Sequence, residues 1–279
     1  MPAPPASLMQ QLAKAQFRAL APRLPLDWQQ PQGDPAGKHY HDAFKPGELT
    51  HVPSAGALFM PASTNKYHCQ AAKEISEKFE AYIDGICSAI CSAWSQWQST
   101  ASMVGIVINA VTAVGGQVVG PPWFPLILAS APKSTPQELK YSNAIAQAIS
   151  TGWLSYQSSI KVPGLPWYPA FAAVPSPVAP PVPNVPMPVA ALMQVPVTVS
   201  GPILKSQMIG NLADPQALHA QELFESVAGA FEKCFQMWQV STMVTNVIGT
   251  GPVPTFAPPV VPVGPVVGGI GNMIPGGFK

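Results

Sequence analysis

The chain has few charged residues, and this shortage limits what the protein can bind. Asp, Glu, Lys and Arg make up 10% of its 279 residues, against roughly 25% in an average soluble domain. The formal net charge is +1, and no basic patch is longer than a residue or two. Because nucleic-acid binding needs concentrated positive charge, we expect no nucleic-acid partner.

The sequence also lacks the short motifs of the common enzyme classes. It contains no GxSxG, no P-loop and no dinucleotide-binding fingerprint. Nothing brings two of its 13 acidic residues together. Asp84, which follows Ile83, is a candidate functional acid, with a solvated residue on the face of a helix as the alternative. We therefore expect a protein that is not an enzyme.

Cysteine pairs and a secretory signal are missing as well. The four cysteines form no CxxC pair, and the first twenty residues lack the continuous apolar core of a signal peptide. These features predict synthesis in the cytoplasm and buried, unpaired thiols in a reducing compartment. The cysteines are Cys69, Cys87, Cys91 and Cys234.

What the chain has in excess is proline and apolar side chains. Proline occupies 35 positions and 47% of the residues are hydrophobic. Disordered chains are poor in apolar residues, so this composition indicates an ordered protein. Since soluble monomers rarely leave large apolar patches in water, we expect partner subunits or lipid to cover part of the surface.

Apolar periodicity predicts three long helices and one short helix. The first extends from Ala71 to Met103 and is expected to continue to Gly115. The second begins at Ser134 or Thr135, where the sequence STPQE supplies a cap. The third begins at Asp214–Pro215, and the short helix covers Leu8–Leu20. The apolar stripe of the first helix consists of Ile75, Phe79, Tyr82, Ile86, Ile90, Trp94 and Trp97.

Each long helix precedes glycine and then a proline–aromatic segment: GGQVVGPPWFP, VPGLPWYP and GTGPVPTFAPP. Because proline cannot donate to a central strand, we predict a mainly α fold. It is a small helical bundle with ordered proline-rich arms, a tandem quasi-repeat and little regular sheet. The expected segments are an N-terminal arm at 1–65 and helix–arm units at 66–132, 133–213 and 214–279.

The aromatic residues of the arms are candidate interface anchors, because a rigid segment with a large apolar side chain suits docking on a neighbour. The alternative is that they pack against the protein's own helices. The candidates are Trp123, Phe124, Trp167, Tyr168 and Phe256.

A histidine cluster is the one candidate metal site. His39 and His41 form an HxH pair that suits zinc or iron, and His51 and His68 follow within thirty residues. The spacing is not that of a known zinc finger or metallohydrolase. Ordinary loop histidines are the alternative, so the expected protein has no cofactor.

The stretch 101–131 contains no charge and is the basis of a membrane alternative. Roughly 20 apolar residues are needed for a span, but Asn109, Gln117 and Gly115–Gly116 interrupt this one. Insertion after a conformational change remains an alternative.

Together these features predict a structural subunit of a large assembled particle, such as a phage tail or neck or a contractile injection machine. Its partners would be other subunits, including copies of itself. The alternatives are a membrane-active effector or peripheral membrane component that uses residues 101–131, and a metal-dependent enzyme that uses the His39/His41 cluster.

Overall fold

Long and short helices alternate along the chain. The computed structural model describes residues 3–20, 63–217, 219–257 and 263–279, with the backbone alone for 63–73. The helices within these ranges are α1 (Ala6–Ala19), α2 (Ser63–Thr100), α3 (Trp123–Ser130), α4 (Pro136–Ser159), α5 (Gly201–Leu212) and α6 (Ala220–Ser241).

The predicted start of the second long helix is confirmed by its cap. The Thr135 hydroxyl accepts a hydrogen bond from the Glu138 backbone N at 3.1 Å, and the Glu138 carboxylate accepts one from the Thr135 N at 3.1 Å. This reciprocal pair satisfies two amides that a helix leaves unpaired. The third long helix begins later than Asp214–Pro215, because Asp214 caps a turn instead and His219 has a left-handed φ of 54°.

The prediction of a mainly α fold with little sheet is wrong. Six strands form an antiparallel sheet in the order β3-β2-β1-β8-β7-β4. A second sheet pairs the short strands β5 and β6. The strands are β1 (Ser102–Asn109), β2 (Thr112–Val119), β3 (Val162–Leu165), β4 (Val178–Pro183), β5 (Met187–Pro188), β6 (Met243–Val244), β7 (Val247–Pro252) and β8 (Val267–Met273).

The prediction that the first helix continues through residues 102–114 is also wrong. They form β1 and most of the β1–β2 hairpin. Ile106 and Ile108 are buried on one face while Val107 is exposed on the other, which is the period-2 alternation of a strand. β-Branched side chains are compatible with a strand, and pairing with β2 and β8 holds this stretch as β1.

The strands richest in proline lie at the edges of the sheet, as expected from the amide donors that proline lacks. The two edge strands are β3, which contains Pro163, and β4, which contains Pro180 and Pro181. Edge strands tolerate a missing amide donor because one side of the strand has no neighbour. The proline-rich segments therefore border the sheet.

The sheet curls into a nearly closed barrel, defined here as β3, β2, β1, β8, β7 and β4 with their connections. Beyond the edge strands, the Val185 N donates to the Trp167 O at 2.9 Å. Tyr168 lies in the interior, and its hydroxyl donates to the Val247 O on β7 at 3.0 Å. The interior is thus filled by side chains.

The six helices form a ring at one end of the barrel. Each short helix bridges two long ones: α3 packs against α2 and α4, α5 against α4 and α6, and α1 against α6 and α2. One unit of the fold is therefore a long helix, two barrel strands and a short helix, and three such units close on themselves. The third unit takes its short helix, α1, from the N-terminal part of the chain.

Candidate functional site

The three long helices carry the same aromatic signature at the end that meets the barrel. It consists of an aromatic residue, a second aromatic residue three positions later, and a glutamine directly after that. The three copies are Trp94, Trp97 and Gln98 on α2, Trp153, Tyr156 and Gln157 on α4, and Phe235, Trp238 and Gln239 on α6.

The second aromatic residue of each helix contacts the glutamine of the next helix, in a closed cycle. The donor–acceptor distances are 2.8 Å from Trp97 Nε1 to Gln157 Oε1, 3.5 Å from Gln239 Nε2 to the Tyr156 hydroxyl, and 3.0 Å from Trp238 Nε1 to Gln98 Oε1. The cycle runs from α2 to α4, from α4 to α6, and from α6 back to α2.

Ring packing follows the same cycle. The second aromatic ring of each helix lies against the first aromatic ring of the next in an edge-to-face arrangement, which the ring quadrupoles favour. The centroid distances are 4.8 Å for Trp97–Trp153, 4.8 Å for Tyr156–Phe235 and 5.6 Å for Trp238–Trp94.

The far end of the barrel has a third cyclic set of contacts. Three backbone hydrogen bonds join the units in pairs: Tyr168 N to Val111 O at 3.1 Å, Val266 N to Phe171 O at 3.0 Å, and Ala110 N to Val266 O at 2.6 Å. We call the contacting aromatic residues of the three long helices the aromatic core, and the strand connections at the far end of the barrel the barrel tip. The helix ring, the aromatic core and the barrel tip therefore share one pseudo-threefold axis within a single chain.

The predicted anchors lie mostly inside this core. Trp123, Trp167 and Tyr168 are at most 1% exposed, and Trp123 stacks on Trp153 with centroids 4.2 Å apart. Phe124 and Phe256 are half-buried and pack against the core. A side chain that is 1% exposed offers almost no surface to a partner.

The outer face of the barrel carries no charged side chain. The sequence has no Asp, Glu, Lys, Arg or His in 85–132, 162–204 or 234–278, and these three stretches contain every strand. The charged residues that the structure describes lie mostly on and around the helices, where Lys14–Asp84 and Lys205–Glu225 join neighbouring helices at 2.9 and 2.6 Å.

Exposed apolar side chains form a continuous row across this outer face. Val107 on β1 is directly opposite Val114 on β2 and opposite Ile270 on β8. All three are exposed, Ile270 to 57%. The solvent-facing side of an antiparallel sheet is usually polar. This outer row, Val114–Val107–Ile270, is therefore an exposed apolar feature of the described surface, and the exposed polar side chains of Gln117 and Asn272 flank it.

No protein-family model matches the chain, and searches of curated proteins and of solved structures find no similar protein.

The remaining candidate residues do not assemble into a site in the described part of the chain. His39, His41 and His51 lie outside the described residues, as does the side chain of His68. Among the described side chains, no group of three or more His, Cys, Asp or Glu lies close enough to hold a metal. Asp84 forms an ion pair with Lys14 and is partly exposed.

A cleft of about 460 Å³ lies where the end of α2 meets both termini. Its described lining has one charged side chain, Lys279, and the Gln98 amide donates to the Phe278 O at 3.0 Å. The rest of the lining is Ala3, Ser95, Ser99 and Gly276. We find no acid–base pair in this lining.

The stretch 101–131, the basis of the membrane alternative, is folded as β1, β2 and α3. Met103, Ile106 and Ile127 from this stretch are buried in the core. None of the helices in the described ranges is both long enough and apolar enough to cross a bilayer.

Because three thiols are buried, we expect the protein to lose stability at alkaline pH. Burial raises the pKa of all three thiols above the ordinary value of 9.0. The pKa of Cys91 rises to about 12 and that of Cys234 to about 11, and the pKa of Cys87 is raised as well. Below pH 9 the thiols are protonated in both states. Above pH 9 the unfolded chain loses these protons while the folded chain keeps them, so the free energy of unfolding falls by up to about 1.4 kcal/mol per pH unit per thiol.

Urea unfolding measured between pH 8 and pH 10.5 tests this prediction. The Cys91→Ala variant should show a shallower decline than the unaltered chain, because one thiol no longer ionises on unfolding. Equal slopes for the two proteins would contradict the assignment.

Proposed function

We propose that the chain is a structural, non-enzymatic subunit of a large multi-component assembly, such as a phage tail or neck or a contractile injection particle. In that assembly, neighbouring subunits cover the outer face of the barrel. The observation that carries the proposal is the uncharged outer face with its row of exposed apolar residues.

The distribution of charge supports docking through the barrel over docking through the helices. Ion pairs such as Arg18–Glu80 join neighbouring helices at the surface, and exposed pairs of this kind tolerate water well. The barrel strands carry no charged side chain, and their exposed polar side chains, such as Gln117 and Asn272, are neutral. Burying apolar surface yields roughly 25 cal/mol per Å², so contact with a partner stabilises the barrel face more than the helix ring.

The barrel also has the rigidity that a docking element needs. Prolines restrict the backbone of both edge strands, so little conformational entropy is lost on association. Pro163, Pro180 and Pro181 also remove amide donors at these edges, which disfavours uncontrolled strand addition. Side-chain contacts across the outer face are therefore the expected mode of docking.

A charge placed in the outer row should release the protein from its particle. In the Ile270→Lys variant, docking would bury an unpaired ammonium group, which costs several kcal/mol. We expect the share of the chain in the fast-sedimenting fraction of a native lysate to fall at least about tenfold, which corresponds to about 1.4 kcal/mol.

The matched control is Leu154→Lys, which places the same charge at a residue that is 63% exposed on α4. This variant should sediment like the unaltered chain, and both variants should keep the unaltered urea midpoint, since exposed sites change stability by about 0.5 kcal/mol or less. Equal behaviour of the two variants in the particle, whether both retained or both released, would refute docking through the barrel.

Detergent separates this proposal from the membrane alternative. A protein–protein particle should keep its sedimentation rate and its companions in mild detergent. If the chain instead floats with membranes and shifts to a micelle-sized species, the outer row faces lipid and the structural proposal fails.

A further inference from the structure

We propose that the partner covering the barrel is a homotrimer whose threefold axis coincides with the pseudo-threefold axis of this chain. The inference rests on the proposed function and adds the symmetry and surface chemistry of the partner. It starts from the three cyclic sets of contacts in the helix ring, aromatic core and barrel tip.

The register of the barrel identifies equivalent outward positions in the three units. Val114 on β2 is opposite Val107, and Ile270 on β8 is opposite Thr250. In the remaining unit, the bulge on β4 places Pro180 and Pro181 opposite Thr250, between the pairs Ala179–Gly251 and Val182–Gly249. The equivalent positions on the second strands are thus Val114, the bulge Pro180–Pro181 and Ile270, and all are exposed; Pro181 represents the bulge below.

These positions differ in residue type but are alike in chemistry. Valine, proline and isoleucine differ in shape and backbone preference, yet all three are apolar, and every strand around them is uncharged. The fold itself requires only the inward-facing residues to be apolar. Burial against a partner would explain why these three positions are apolar, whereas other outward positions such as Gln117 and Asn272 are polar.

The outer surface of the helix ring, by contrast, differs in charge from one unit to the next. Its three short helices carry different charges: α1 has Lys14 and Arg18, α5 has Lys205, and α3 has none. The pseudo-threefold likeness of surface chemistry is confined to the barrel. The partner consequently contacts all three barrel faces and not the outer faces of the helices.

A homotrimer is the simplest partner that can do this. Cyclic symmetry repeats one surface patch three times about an axis, so a single apolar, uncharged patch would meet each of the three barrel faces in the same way. An asymmetric partner or a twofold dimer would cover one or two faces and leave the rest in water. The required patch is apolar, because an opposing charge would find no counter-ion on the barrel.

Site-specific crosslinking within the intact particle tests the inference. The variants Val114→Cys, Pro181→Cys and Ile270→Cys are made separately in a Cys69→Ser background, and Leu154→Cys serves as the control. The native thiols Cys87, Cys91 and Cys234 are buried, so a maleimide–diazirine reagent should label the introduced cysteine. Peptide mass spectrometry then identifies the residues joined to each site.

The expected result is that all three barrel variants link to the same segment of the same polypeptide, whereas Leu154→Cys does not. Quantitative mass spectrometry of the particle should give three copies of that polypeptide for each copy of this chain. Links to different polypeptides, to different segments of one polypeptide, to a second copy of this chain or to lipid would overturn the inference.

The experiment separates failure of the inference from failure of the proposed function. If the variants remain in a detergent-resistant particle but their links are not equivalent, the structural role stands and the homotrimeric partner is refuted. If the unaltered chain does not enter a particle, both proposals fall. A stoichiometry other than three to one refutes the symmetry even where the links agree.

Discussion

Replacing Trp94 with alanine is expected to lower the free energy of unfolding by about 3–5 kcal/mol, the usual cost of removing a buried tryptophan. Trp94 is fully buried at the centre of the aromatic core. Its ring centroid lies 5.2–5.6 Å from four other aromatic rings, those of Trp123, Trp153, Phe231 and Trp238. These rings belong to all three units, so the cavity would form where the units meet. Domains of this kind have a net stability of about 5–15 kcal/mol, and the loss should be visible as a lower urea midpoint followed by circular dichroism.

A comparison with phenylalanine separates lost packing from lost hydrogen bonding. The Trp94 Nε1 has no hydrogen-bond partner among the described residues, so Trp94→Phe removes volume alone. The Trp97 Nε1 donates to Gln157, so Trp97→Phe also leaves a buried acceptor unpaired, which costs about 1–3 kcal/mol more. A Trp97→Phe variant as stable as Trp94→Phe would contradict the cyclic hydrogen-bond network. Leu154→Ala, at an exposed position, controls for the loss of any large apolar residue.

Local signals in the sequence were sufficient to locate the second long helix. The residues of its capping box lie within four positions of one another, so its start at Thr135 follows from short-range chemistry. The third helix shows where such signals fail: Asp214 and Pro215 have the composition of a helix start but form a turn, and α6 begins at Ala220. An aspartate followed by proline suits both structures, and the packing of the later residues decides between them.

The barrel could not be predicted locally, because its strands are defined by partners far away in the sequence. β1 lies between β2 and β8, and the latter is separated from it by most of the chain. Taken alone, VGIVINAV is a short apolar run, which fits a strand or a buried helix equally well. The pairing of Val107 with Ile270 resolves the ambiguity only once the fold has formed.

The pseudo-threefold site had a signal that could have been found. Two aromatic residues three positions apart with a glutamine after the second occur near the end of each long helix, at Gln98, Gln157 and Gln239. The signal is weak because the units differ in length. The strand connection is 110–111 in the first unit but 166–177 in the second. Insertions at the barrel tip thus obscure the aromatic signature within the helix–arm repeat that the sequence predicts.

A second large effect is expected at Gly251, where β7 and β8 approach each other most closely. A Cβ at this position would overlap the Cα of Gly269 and lie 2.7 Å from Val266 Cγ1. Because the Gly269 Cα belongs to the backbone, it cannot rotate away as a side chain can, and the two strands must separate. We expect Gly251→Ala to lower the free energy of unfolding by about 3 kcal/mol, the upper end of the usual cost of overpacking. Urea denaturation of the purified variant measures this loss.

The same substitution at Gly210 should have the opposite sign, which makes it the matched control. Gly210 lies within α5, and a Cβ there would have no heavy atom within 4 Å. Alanine is favoured over glycine in a helix by about 0.5–1 kcal/mol, so Gly210→Ala should raise the urea midpoint. If Gly251→Ala were neutral, the barrel would have room between β7 and β8, and the outer row that depends on their register with β1 would not be fixed. If the Gly251→Ala protein is destabilised and also leaves the particle, the close packing of β7 against β8 is needed for docking as well as for stability.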